Sequence, residues 1–431
     1  MADFARSDHP AVQEQLDRLS LLSPGGDRLG LDRITRLLDK LGRPQDDLPP
    51  VFHVAGTNGK GSTCAFLRAA LEAAGKSVHV FTSPHLVRFN ERIRVTGSLI
   101  GDEVLASLLA EVLDAGEAIE PSFFEVTTAA AFLAFARTQA DACILEVGLG
   151  GRLDATNVIE RPLITGIASL GLDHQQFLGN RLPDIAAEKA GIAKRGVPLV
   201  TQLYPPAIGG RIGKIAEDVG AIWSPRGARW DAIVERKTLR YRDEQGELDL
   251  PIPRLPGRHQ ALNAALAVAL LRHQQRISFP PSALTAAMGW SNWPARLQQL
   301  TDGPLSRGRD VWIDGGHNPS AARLVAGWAK RQFRDRRLHL IFASLKSKDA
   351  AGVLQPFGGI APSVSTLPIT GHDCRSPEEL AAMATELGFA ASVATSLEDA
   401  IAAAPTDAAV LVFGSLYLAG EALKLNGQLP D

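Results

Sequence analysis

Cysteine is nearly absent from this 431-residue chain, which carries only Cys64, Cys143 and Cys374. They are odd in number, far apart and without a C-x-x-C pair, which argues against a disulfide framework or a zinc knuckle and fits a reducing cytosol. An excess of charge of either sign is also missing. Lys and Arg total 45 against 47 for Asp and Glu, a formal net charge of −2. No bulk basic field therefore draws the chain to nucleic acid or to an anionic bilayer, and small molecules are the expected partners. Long apolar runs are lacking: the longest, around Thr127 to Ala136, falls short of the roughly 20 residues that a spanning helix needs. The opening MADFARSDHP has no apolar core of the signal-peptide kind. A cytoplasmic protein, monomeric, with neither nucleic-acid nor membrane partner, is expected. What is abundant is hydrophobic residue, 45% of the chain, enough for two or more domains with sizeable cores.

Along the chain, VFHVAGTNGKGSTCAFLRAALEAAG passes from a β-branched run ending at Val54 to Gly-rich turn residues and then to a helical pattern from Ser62. The grammar repeats: VHVFTSPHL, ACILEVGLGG and LITGIASLG read as strands running into loops, and EVTTAAAFLAFARTQ as an apolar helix. Strands alternating with helices imply an α/β fold with a mostly parallel sheet, whose ligands sit beyond the carboxyl ends of the strands. From about Ala221 to Pro253 short alternating segments suggest β-hairpins at the edge of this domain. After the helical LPGRHQALNAALAVALLRHQQ, the stretch GWSNWPARLQ breaks the pattern, and a junction is expected near Asn292. A second, smaller open α/β sheet should follow from VWIDGGHNPSAARLVAGWAK onward. The expected domains are residues 1–291 and 297–431.

The segment AGTNGKGST stands between a strand and a helix N-terminus, where backbone N–H groups and the helix dipole favour an anion. Lys60 adds a point charge for outer phosphates, and Ser62 or Thr63 a hydroxyl near a metal. The strict G-x-x-x-x-G-K-[ST] spacing is not met, because Val54 lies five before Gly59 and Gly61 separates Lys60 from Ser62. The alternative is a Gly-rich turn with a solvated lysine; the strand–loop–helix context favours the cradle.

GTNGKGS (Gly56, Thr57, Asn58, Gly59, Lys60, Gly61, Ser62) is followed by TSPHLVRFNERI, EVGLGGRLDATN, LDHQQFLG, EKAGI, GRHQALNAALA and DGGHNP. Taken together, these segments resemble the bacterial bifunctional dihydrofolate synthase/folylpolyglutamate synthase family, within the Mur ligase superfamily, through nearly the whole chain. The resemblance implies a P-loop-type first domain binding ATP and folate, and a Rossmann-like glutamate ligase second domain. It implies an enzyme that uses ATP and Mg²⁺ to add L-glutamate to dihydropteroate and to tetrahydrofolate derivatives through an acyl phosphate. It assigns Mg²⁺ to Ser83, Glu146 and His174. Read singly, Ser83 could cap a turn, Glu146 end a strand in a salt bridge, and His174 be a loop histidine. Lys189 corresponds to a lysine that the family carries as a carbamate; otherwise it is an exposed helix lysine paired with Glu188 or a neighbouring acid.

The same resemblance places nucleotide contacts at Asn263, Arg296 and Asp314 and a catalytic-region role at His317. Arg296, at the expected hinge, is equally read as an interdomain salt bridge. For the pterin-bearing acid it points to Leu29, Gly30 and Leu31, to Ser122, Phe123, Phe124 and Glu125, and to Leu153, Asp154 and Ala155; the two Phe residues could equally be core. Ala295 stands where the family usually has Gly, and Gly316 where it usually has Ala. Two rival readings use the same loop: a peptidoglycan-precursor ligase, disfavoured because the loop begins only about 50 residues in, and a nucleotide-driven motor, disfavoured by the charge balance. A folylpolyglutamate synthase without the dihydropteroate activity is a third.

Overall fold

The run VFHVA is apolar at nearly every position and forms β1 (Val51–Ala55), with all five residues buried. Such a strand needs parallel neighbours on both edges and helices on both faces. The computed structural model describes residues 5–22 and 29–431. In chain order β1 is followed by β2 (Val78–Phe81), β3 (Ile93–Val95), β4 (Ser98–Leu99), β5 (Ala142–Glu146), β6 (Ile164–Ile167), β7 (Pro198–Thr201) and β8 (Ile222–Pro225). They form one eight-stranded sheet in the order β4-β3-β2-β5-β1-β6-β7-β8, antiparallel only at the β2–β3 and β3–β4 pairs. Register sets Val54 beside Glu146 and Ala55 beside Ile167, so the carboxyl ends of β5, β1 and β6 finish level with one another. That is where ligands bind open α/β sheets.

The accompanying helices are α1 (Pro10–Leu22), α2 (Asp32–Lys40), α3 (Lys60–Ala73), α4 (Asp102–Gly116), α5 (Phe123–Ala136), α6 (Gln175–Leu178), α7 (Leu182–Ala190), α8 (Pro206–Val219), α9 (Arg258–Arg272) and α10 (Pro281–Trp290). One core packs α1, α2, α4 and α5 around Phe81, Cys143 and Leu145 of the sheet; another packs α7 and α8 against Ala55, Ile167 and Leu199. The apolar helix expected around Thr127 is α5, which buries nearly its whole surface, as helices hydrophobic all round do.

The segment expected as edge hairpins divides in two. Residues 222–225 join the large sheet as β8, whereas β9 (Trp230–Val234), β10 (Thr238–Asp243) and β11 (Gly246–Pro251) make a separate three-stranded antiparallel sheet. A buried cluster fastens it to α9. Arg272 donates to Asp243 through Nε and Nη2 at 2.6 and 2.5 Å, its guanidinium lies 5.6 Å from the centre of the Tyr241 ring, and Tyr241 donates its hydroxyl to Asp243 at 3.0 Å.

The chain forms two compact units, residues 1–254 with 260–292 and 431, and residues 255–259 with 293–430. The second is built on β12 (Gln298–Gln299), β13 (Val311–Asp314), β14 (Leu338–Phe342), β15 (Ser363–Thr366), β16 (Ala390–Val393) and β17 (Ala409–Phe413), in the order β12-β13-β17-β14-β15-β16. All pairs are parallel except β12–β13. Helices α11 (Pro319–Gln332), α12 (Ala350–Leu354), α13 (Pro377–Glu386), α14 (Leu397–Ala403) and α15 (Leu416–Leu425) complete it. α11 begins where sequence chemistry says it should: Asn318 caps it by accepting from the Ala321 N–H, with Pro319 in the first position.

Burial alone would push the Asp243 carboxyl up, but Arg272, the Gln245 N–H and the Tyr241 hydroxyl outweigh it and hold it below the usual carboxylate range. Its folded value is therefore below its unfolded one, so the stability it contributes is present above the unfolded value and lost as pH falls through the folded one. Asp243→Ala leaves a buried guanidinium without its acid and is expected to destabilise the first unit by about 3 kcal/mol, read as a lower denaturant midpoint at neutral pH. A midpoint equal to wild type would contradict the clamp.

Candidate functional site

The phosphate loop is shaped by close approach. Gly56 has φ 152°, and a Cβ there would lie 2.9 Å from the Ala168 Cβ. Gly59 has φ 85°, a left-handed conformation that glycine adopts freely, and a Cβ there would meet the Asn263 amide oxygen. The loop is also tied to the segment after β6: Thr57 and Asn58 N–H donate to the Ser169 carbonyl at 2.8 and 3.1 Å, and the Thr57 hydroxyl donates to the Gly171 carbonyl at 3.0 Å. α3 begins at Lys60, two residues before the expected start. The first intrahelical bond of the turn is Thr63 N–H to the Gly59 carbonyl, so the N–H groups of Lys60, Gly61 and Ser62 have no acceptor within the helix and form its anion-binding end. Of the two hydroxyls considered for the metal, that of Thr63 is committed to the Gly59 carbonyl at 2.8 Å, which leaves Ser62.

Charge is concentrated at this end of the sheet. Glu146 is buried at the end of β5, with Lys60 Nζ 3.9 Å from its Oε1 and the Ser83 N–H 3.4 Å from its Oε2. The structure thus brings Lys60, Ser83 and Glu146 together. Lys189 is buried in α7 rather than exposed. Its amine is pushed down to about 7, first by burial and then by the charge of Lys60, against the opposing pull of Asp173, Asp154 and Glu188. Glu188 instead pairs with Arg152 at 2.9 Å, so the exposed Lys189–Glu188 pair does not form. His174 caps α6 at φ 50° and its N–H donates to Asp173 Oδ1 at 2.8 Å. A non-glycine residue in that region is uncommon and marks a constrained position.

Among the described residues no group of three or more His, Cys, Asp or Glu could hold a metal. A cation here would be held by few protein groups, with water and phosphate oxygens completing its shell, which is how Mg²⁺ is commonly bound. The Ser83 hydroxyl and Glu146 carboxylate suit such a hard cation; the His174 imidazole is the less natural donor.

Three segments expected around the acid substrate also converge. Leu29, Gly30 and Leu31 lead into α2, which packs against α5 and against residues 155–158, and Arg33 donates to Glu125 at 3.1 Å. Ser122 and Glu125 have a local role that the sequence reading missed: they form a capping box at the start of α5, Ser122 N–H to Glu125 Oε2 at 2.6 Å and Glu125 N–H to Ser122 Oγ at 3.3 Å. The S-x-x-E spacing is the signal that could have shown it. Phe123 belongs to the core, edge-on to Phe89 at 5.9 Å, whereas Phe124 is half-buried and its ring fills the space beside Gly148 where a Cβ would stand. Leu153 is half-buried and Ala155 is core. Asp154 is buried with both oxygens engaged by its own loop, Oδ2 by the Leu149 N–H at 2.8 Å and Oδ1 by the Thr156 N–H at 3.0 Å. Burial pushes its carboxyl up against those bonds.

In the second unit Asp314 ends β13, buried, and accepts from the Leu297 N–H at 2.9 Å and the Gly316 N–H at 2.8 Å. Burial raises its carboxyl, opposed first by Arg296. Arg296 Nη1 donates to the Ala295 carbonyl at 2.8 Å, and His317 Nδ1 lies 3.0 Å from the Gly315 carbonyl. These residues cluster at one strand end. Gly316 is forced by space: a Cβ there would stand 2.8 Å from the Phe413 ring and 2.9 Å from Asp314 Oδ1.

Residues 295–416 match the family model described as Mur ligase, glutamate ligase domain. The chain is 37% identical over 363 residues to the dihydrofolate synthase/folylpolyglutamate synthase of Bacillus subtilis, covering 79% of this chain and 81% of that protein. A solved Escherichia coli structure, FolC in complex with DHPP and ADP, superposes with TM-score 0.88 at 32% identity, over 97% of this chain and 98% of that one. A Yersinia pestis bifunctional folylpolyglutamate synthase/dihydrofolate synthase complexed with AMPPNP and Mn ion gives TM-score 0.85 at 30% identity, over 96% and 97%. The chain belongs to the dihydrofolate synthase/folylpolyglutamate synthase family, ATP-dependent ligases of the Mur ligase family.

Proposed function

We propose that this chain joins L-glutamate to both dihydropteroate and tetrahydrofolate derivatives at one ATP-using centre. The observation that carries the reading is the meeting of Lys60, at the N-terminus of α3, with the buried Glu146 3.9 Å away: a cation for phosphate beside an anion for metal. In the first step the acid's carboxylate oxygen attacks the γ-phosphorus of ATP and ADP leaves, giving an acyl phosphate. In the second, the glutamate amine attacks the acyl carbon, phosphate departs with that oxygen, and the amine loses a proton. No enzyme nucleophile is needed; positioning and charge neutralisation do the work.

The N–H groups of Gly59, Lys60, Gly61 and Ser62 and the Lys60 ammonium hold the β- and γ-phosphates, with Gly56, Thr57 and Asn58 shaping the loop. Asn263, packed on Gly59, orders the nucleotide end, and the family likeness assigns Arg296 and Asp314 as further nucleotide contacts. Ser83, Glu146 and His174 would hold Mg²⁺, which when bound supplies neutralising charge to the phosphate oxygens. His317 orients glutamate. Leu29–Leu31, Ser122–Glu125 and Leu153–Ala155 border the acid, Phe124 being the ring best exposed to stack on it. Three unpaired cysteines suit a reducing, cytoplasmic location; no helix among the described residues is long and apolar enough to cross a membrane.

Lys189 is the candidate for a carbamate, formed when its neutral amine adds to CO₂ and releases a proton. An amine near pKa 7 is substantially neutral at physiological pH, whereas an ordinary lysine is not.

Mass analysis of products is the direct test of the function. Incubation with ATP, Mg²⁺ and glutamate should add one glutamyl unit to dihydropteroate and to tetrahydrofolate alike; product from tetrahydrofolate alone would reduce the reading to a folylpolyglutamate synthase. Phe124→Ala is expected to change the ratio of the two rates. Lys60→Ala should lower both by about 10²–10³-fold while the thermal midpoint stays near that of wild type; unchanged phosphate release in the folded variant would remove the loop from the reaction. Enzyme stripped of CO₂ should regain activity on adding bicarbonate, and less completely as pH falls below about 7, where the Lys189 amine is protonated. Full activity of a folded Lys189→Ala variant without bicarbonate would overturn the carbamate.

A further inference from the structure

Thr156 lies between two groups that the roles above leave unconnected. Its Oγ1 donates to Asp154 Oδ1 at 2.5 Å and stands 2.8 Å from Nε2 of His53, which sits in the middle of β1. Thr156 and His53 are wholly buried and Asp154 nearly so. A hydroxyl has one proton. Because Thr156 gives its proton to the carboxylate, its oxygen can only accept from His53, which fixes that ring as the Nε2–H tautomer. Burial, and then the charge of Lys194, push His53 down to about 3, so the ring stays neutral at physiological pH and, while Asp154 is ionised, the chain runs from His53 to Thr156 to Asp154.

What the chain connects gives it significance. β1 runs straight into the phosphate loop at Gly56. Asp154, at the other end, organises the loop that contains Leu153–Ala155, accepting from the Leu149 N–H at 2.8 Å. That loop is further stitched to α7: the Arg152 N–H donates to the Glu188 carbonyl at 2.8 Å, and Asn157 Nδ2 reaches the Arg152 and Gly191 carbonyls at 3.0 and 3.1 Å. Thr156 is therefore bonded both to the strand that ends in the ATP loop and to the carboxylate that sets the acid-binding loop.

We infer that Thr156 is a positioning residue for the acid substrate, its hydroxyl fixing the 148–155 loop against β1 through Asp154 and His53. The inference rests on the proposed function. Thr156→Val keeps the shape and removes the hydroxyl; Thr156→Ser keeps the hydroxyl. Loss of this buried bond is expected to raise KM for dihydropteroate and for tetrahydrofolate about tenfold in Thr156→Val, with KM for ATP changed less than about twofold, and Thr156→Ser should recover most of the loss. A merely structural role would move the KM values for ATP and acid together and lower the thermal midpoint in step; that result, wild-type values in Thr156→Val, or failure of Thr156→Ser to rescue would overturn the inference. Should Thr156→Val not fold, Thr156→Ala must show the same split between acid and ATP. Absence of ligase turnover in the wild-type chain would count instead against the proposed function, and equilibrium binding of dihydropteroate, which needs no turnover, then decides: weaker binding to Thr156→Val than to Thr156→Ser supports the inference, and equal binding overturns it.

Discussion

Charge held out of water at the carboxyl ends of β1 and β5 is the constraint on which the first unit depends. Lys60, Glu146 and Lys189 are largely or wholly withdrawn from solvent there, and isolated buried charges are costly. Two responses are visible. Lys60 and Glu146 stand near one another, and Lys189 moves toward neutrality, its amine brought down to about 7. Neither response balances the site as a metal–nucleotide complex would. The surroundings hold these groups in place: Ser169 fixes the phosphate loop through two N–H groups, Asn263 packs on Gly59, and the 148–157 loop is bonded along α7, which carries Lys189. A polyanion with a divalent cation would meet the lysines and the carboxylate at once, which is why this arrangement suits phosphoryl transfer.

Much of this was legible in the sequence because it is local. Glycines between a β-branched run and a helical pattern announce an anion cradle, and strands alternating with helices announce the parallel sheet. Depth was not legible. Nothing local distinguishes Lys189, buried, from Glu188, half-exposed and paired with Arg152; that difference follows from which face α7 turns to the core. The start of α3 at Lys60 rather than near Ser62 likewise reflects tertiary bonding of the loop to Ser169. Ser122 and Glu125 show the opposite case, a capping box readable from spacing alone that the likeness to a substrate-binding motif obscured.

The departures from the family pattern find physical counterparts in the second unit. Ala295 has φ 55° and Leu297 has φ 48°, left-handed conformations that cost a residue with a Cβ about 1–2 kcal/mol each. Glycine, which the resemblance leads one to expect at position 295, adopts that region freely. The strain flanks Arg296, and the segment is held by bonds from the Gly315 N–H to the Ala295 carbonyl at 2.9 Å and from the Leu297 N–H to Asp314. Asp314 therefore has an architectural duty whatever it touches in the reaction. Gly316 shows the converse, since the Phe413 ring and the Asp314 carboxylate occupy the space a methyl would need.

Activation of the acid as an acyl phosphate leaves its mark on the fate of the acid's carboxylate oxygen. Dihydropteroate labelled with ¹⁸O in its carboxylate, turned over with ATP and glutamate in unlabelled water, should transfer one labelled oxygen to each inorganic phosphate released. Phosphate carrying no label, with product formed in the same amount, would rule out the acyl phosphate.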